Sequence, residues 1–141
     1  MTRSEIALVR EGYALIASRA EIVCLAFCHG MFACDLSLRA LFPCDLKPLV
    51  ASLTAGLRMM VESLDDMRPL LVRAPALGLR LASYGLEPSD LPTIGAAFLA
   101  TMRAELGDAF TDEAHAAWRH MFWTIALAAI PAMSERLRQA A

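Results

Sequence analysis

The stretch LASYGLEPSDLPTIGAAFL, residues 81–99, holds the end of one helix and the start of the next. Tyr84-Gly85 followed by Glu87-Pro88 is a stop signal: Gly85 suits the left-handed position after a last helical turn, and the residue before a proline avoids the α region. Ser89 or Asp90 then offers an N-cap, with Pro92 tolerated in the first turn. Beyond it Leu91, Ile94, Phe98, Met102 and Leu106 recur at three- and four-residue steps, the stripe of an amphipathic helix.

The same grammar runs outward in both directions. Toward the C-terminus, Gly107 closes that helix. Thr111 opens the last one, with Asp112 and Glu113 at the positive end of its dipole. Trp118, Met121, Phe122, Ile125 and Ala129 form its stripe. Pro131 is expected to kink or end it, leaving residues 132–141 as a polar tail. Toward the N-terminus, Leu46, Leu49, Val50, Leu53, Leu57, Met60 and Leu64 mark another helix, and Phe42-Pro43 closes the one before. Ile6, Val9, Tyr13 and Ile16 form the first stripe, with Thr2 and Glu5 at capping-box spacing. No run alternates with period two. The expectation is an all-α single domain over residues 1–141 with six to eight helices and no strand.

Composition narrows the function classes. The 141 residues are 57% apolar and 20% charged, enough to bury roughly 68% of the unfolded surface. A net charge of −2 gives no basic footprint for nucleic acid. The apolar run Met121–Met133 is too short to cross a bilayer, and the opening residues do not read as a signal peptide. A cytoplasmic protein with no membrane partner is expected, its cysteines kept as reduced thiols.

Local clusters of chemically active residues are weak. Cys24, Cys28 and His29 form a C-x3-C-H string, one residue longer than the c-type haem attachment motif, and buried thiols explain it better. His120 sits roughly opposite Trp118 on its helix and reads as solvated, whereas His115 shares the tryptophan's face. Asp65-Asp66 reads as a turn and Met59-Met60 as core filling.

Three longer strings carry a resemblance: FCHGMFACDLSLRALFP (27–43), LASYGLEPSDLPTIGAAFL (81–99) and LGDAFTDEAHAAWRHMF (106–122). In this order and separation the chain resembles the globin family, specifically bacterial single-domain globins and the globin domain of flavohaemoglobins. The likeness covers about residues 3–131. It implies the globin fold and a haem-type pocket bordered by Phe27, Cys28, Phe42, Leu49, Leu53, Leu81 and Phe98. Phe42 matches the family's corner phenylalanine, which packs on haem.

The resemblance also implies what is missing. The family's proximal histidine falls at Leu81, and no histidine occurs between His29 and His115. The distal glutamine or histidine falls at Leu49, the distal tyrosine at Cys28, and the proximal-side tyrosine of flavohaemoglobins at Leu91. Leucine has no lone pair for iron and no donor for bound oxygen. Leu49 and Leu81 either fill the pocket or line an apolar cavity. Conventional oxygen carriage is not expected. One reading is a haem-free or weakly haem-binding sensor or interaction globin, with an apolar molecule in the pocket or a homodimer through the C-terminal helices. The alternative is a haem globin with unusual ligation through Cys28, the one weak metal candidate, binding O2, NO or another diatomic. Nitric-oxide-dioxygenase chemistry needs a proximal histidine and a reductase partner, so no enzyme is expected.

Overall fold

The stop and start signals at 81–99 mark the turn between two long helices. In the computed structural model, which describes residues 1–140, seven α-helices follow one another: α1 Arg3–Ile16, α2 Ala20–Cys34, α3 Leu36–Arg39, α4 Lys47–Glu62, α5 Arg68–Ser83, α6 Leu91–Leu106 and α7 Asp112–Ala140. Three 3-10 turns link them at Ala17–Arg19, Pro88–Asp90 and Gly107–Ala109, and no strand occurs among the described residues. The all-α expectation therefore holds.

The caps account for the boundaries. Thr2 and Glu5 form a reciprocal capping box at the start of α1. Gly85 has φ +95°, a conformation that costs glycine nothing and lets the chain reverse after α5. Thr111 Oγ1 accepts from the Ala114 amide at 3.2 Å and caps α7. At Pro88–Asp90 the cap is Glu87, whose backbone N–H donates to the Asp90 carboxylate at 2.8 Å.

Pro131 does not end α7. The helix runs on to Ala140, so the expected polar tail at 132–141 is helical as far as it is described, and Ala141 lies outside the described residues. The reason lies in where the helix sits in the fold. Pro131 is exposed, so the carbonyl left without its helical partner four residues earlier, on exposed Leu127, is free to bond water. Pro75, likewise exposed, survives inside α5. Past Pro131, Met133 is fully buried and gives the last turns a hold on the core.

Helices α6 and α7 form the centre. α2 packs on α6, α1 and α5 pack on α7, and α4 rests on α2. The buried stripe of α5 is Leu70, Ala74, Gly78 and Ala82, three of them small, so α5 lies close against α7. α4 and α5 have different supports and barely touch each other. That leaves space between them.

The helical run Arg3–Cys34 reaches the length and hydropathy of a membrane span. The 3-10 turn at Ala17–Arg19 interrupts it, and Val9, Ile16, Val23, Phe27 and Met31 face the core. A core helix pair explains its apolar content. The apolar segment of α7 is likewise used inside the monomer: Met121, Ile125, Ala126 and Ala129 are buried, and Leu127 is left exposed.

Candidate functional site

The space between α4 and α5 is a cavity of about 330 Å3. This decides between filling and lining: the leucines at 49 and 81 line an open site. Its inner wall is hydrocarbon, with Leu57, Leu70, Leu86, Met102 and Met121 all buried. Aromatic rings brace it. Phe27 meets Phe98 edge-on at 5.9 Å, Phe98 stacks on Phe122 at 6.0 Å, and Phe42 packs on Tyr84 at 4.9 Å.

The mouth is different in character. Met59 from α4 and Arg73, Leu77 and Arg80 from α5 are exposed there, beside half-buried Ser52 and Gly56 of α4. Arg80 Nη2 donates to Ser52 Oγ at 2.8 Å, and Arg73 Nη1 reaches Met59 Sδ at 3.1 Å. Both bonds cross from α5 to α4. Met59, expected as core filling, is exposed at the mouth instead, and the arginines carry no sequence signal because each pairing joins two helices.

Six of the seven residues expected around the pocket do line the cavity: Phe27, Phe42, Leu49, Leu53, Leu81 and Phe98. Cys28 does not. It is fully buried among Phe32, Leu38 and Ala97 in the neighbouring core cluster, so its candidacy as a ligand is withdrawn. The thiol that lines the cavity is Cys24, one helical turn earlier. Burial pushes the Cys24 thiol up from its ordinary pKa despite a contact with Thr54, and pushes Cys28 up to about 11. Both are therefore neutral at pH 7. Cys34 and Cys44 are exposed. A native-state titration with a chromogenic disulfide at pH 7.5 is expected to find two fast thiols and to reach four only after unfolding. Fast reaction of Cys28 in the folded protein would contradict its burial.

The histidines lie elsewhere. His29 is exposed, His115 packs edge-on against Phe110 at 5.6 Å, and His120 Nδ1 is 2.8 Å from Glu5 Oε2. None lines the cavity. Asp65 and Asp66 are occupied by Arg10 and Arg68 in a solvated turn. No cluster of His, Cys, Asp and Glu suited to a metal ion occurs among the described residues.

These residues do not fit haem held by an imidazole. The cavity offers a neutral thiol and thioethers but no imidazole nitrogen. Nor does a buried polar group wait there for a partner. The one such orphan among the described residues, Trp118 Nε1, lies against Gly12, outside the cavity.

The sequence profile of the Globin family matches residues 26–129, well over half of the chain. No curated protein matches. Among solved structures, a bacterial globin from Campylobacter jejuni is 14% identical, with a TM-score of 0.82 over 95% of this chain and 97% of that one. The closed form of the HGbRL globin domain is 24% identical, with a TM-score of 0.46 over 96% of this chain and 98% of that one. The first shares the helical architecture described above. With the profile running from the middle of α2 through most of α7, the chain belongs to the globin family.

Proposed function

We propose that this globin is a sensor or interaction module whose cavity takes an apolar small molecule, and that it does not carry oxygen on imidazole-bound haem. The observation that carries the reading is Leu81, which stands on the cavity wall at the place where the family likeness puts the iron ligand. The three histidines, all away from that wall, support it. So does Leu49, which faces the same space with no hydrogen-bond donor.

The reading of haem with unusual ligation loses its candidate with Cys28. Cys24, which replaces it at the wall, is kept protonated by burial and is a poor iron ligand in that form. Dioxygenase chemistry gains no group from this cavity. Four free cysteines fit a reducing cytoplasm.

Protein purified from haem-replete cells is expected to be colourless, and added hemin to give only a weak, broad absorption. A sharp Soret band at one haem per chain would overturn the reading.

A further inference from the structure

The cavity is apolar inside and cationic at its edge. Arg73 and Arg80 are seven residues apart on one face of α5, about 10 Å along the helix axis. Neither has a carboxylate partner, and they are the two arginines that line the cavity. Arg80 has only a hydroxyl and Arg73 only a thioether, a weak acceptor. Two guanidiniums left without anions beside a hydrocarbon chamber complement one kind of molecule: an apolar body with a negative head.

Resting on the function proposed above, we propose that the cavity binds a single-chain carboxylate, a medium-chain fatty acid. The chain lies among Leu53, Leu57, Leu81 and Phe98, and the carboxylate sits at the mouth between Arg80 and Ser52, with Arg73 adding to the field. A carboxylate there replaces the single bond from the Arg80 guanidinium to the uncharged Ser52 hydroxyl with a two-pronged ion pair, and the serine hydroxyl turns to donate as well. At about 330 Å3 the chamber falls within the ~300–1,000 Å3 range of small-molecule sites, room enough for one alkyl chain. The exposed mouth lets the head keep part of its hydration while the chain is buried.

Calorimetric titration of the whole chain with dodecanoate, dodecanol and hemin tests this. Dodecanoate is expected to bind more tightly than dodecanol, with an affinity that falls as salt rises. Arg80→Gln should weaken dodecanoate about fivefold and the Arg73→Gln, Arg80→Gln pair about tenfold, as expected for exposed ion pairs, leaving dodecanol unchanged. Gly56 lines the chamber, and an added Cβ there meets no atom within 4 Å, so Gly56→Leu should be tolerated by the helix, project into the chamber and exclude both amphiphiles. Equal binding of acid and alcohol, or indifference to the arginine pair, overturns the carboxylate site while the apolar cavity stands. Tight hemin binding with a sharp Soret band overturns the underlying function. Failure of both amphiphiles to bind parental protein overturns the two together.

Discussion

Leu81→His is expected to give this protein a Soret band in the presence of hemin, with affinity for hemin rising about 100-fold. Leu81 lines the cavity from α5, so an imidazole there projects toward the chamber. Its backbone is held: α5 is anchored to α7 through Leu70, Ala74, Gly78 and Ala82, and Ala82 is the adjacent residue. The walls already supply the apolar contact that a macrocycle needs, and what they lack is an imidazole nitrogen. Restoring one should therefore have an effect far beyond that of an ordinary hydrogen bond, whose net worth is about 1 kcal/mol. The substitution is mild for the fold, because Leu81 is only partly buried. The check is a hemin titration of parent and variant, with a thermal melt to show that both are folded. A folded variant with the parent's weak, broad hemin spectrum would mean that the cavity cannot admit the ring, and the account of Leu81 as a missing ligand would fall. Leu49→His is the control from α4. It places an imidazole on the opposite wall, on a helix that α7 does not brace.

The fold was legible because its information is local. A threonine three residues before a glutamate, a glycine after a last turn and an apolar stripe at helical spacing each act within one element. The capping box at Thr2 and Glu5, the positive φ at Gly85 and the Thr111 cap are all present as the residues imply. That α7 runs on past Pro131 has a tertiary cause. A proline inside a helix costs less where the carbonyl it orphans can reach water, and exposure belongs to the folded chain, not to the dipeptide.

The site was legible in its aliphatic walls and not at its mouth. At about 100° per residue, Val23, Cys24, Phe27 and Met31 occupy one arc of α2 about 100° wide, and Cys28 falls some 40° beyond it. Had Phe27 been taken as the reference, the helical wheel would have favoured Cys24. Arg73 and Arg80 left no such trace. Two arginines on a solvent-facing helix are ordinary in sequence. Only the meeting of α5 with α4 across an empty slot gives them a role, and that meeting depends on what each helix rests against.

Gly78→Ala is expected to cost the fold about 3 kcal/mol, the upper end for overpacking, and to lower the melting temperature by roughly 10 °C. A Cβ at residue 78 would stand 2.2 Å from the Ala129 carbonyl oxygen and 3.1 Å from the Met133 amide nitrogen. Both are backbone atoms of α7, so no rotamer change relieves the overlap and α5 must move outward as a body. Gly56→Ala is the matched contrast. It is also a mid-helix glycine, but its added carbon meets nothing within 4 Å, and it should raise stability by about 0.5–1 kcal/mol through helix propensity alone. A chemical melt separates the two. If Gly78→Ala proved as stable as its parent, the close seating of α5 on α7 would be wrong. The same substitution should also weaken amphiphile binding, because lifting α5 widens the mouth and carries Arg80 away from Ser52. Gly56→Leu blocks the cavity without moving either helix, so the pair distinguishes a site lost by displacement from one lost by filling. A melting point that falls in the first variant and holds in the second, with ligand lost from both, is the pattern required if the small residues of α5 exist to set the width of the slot.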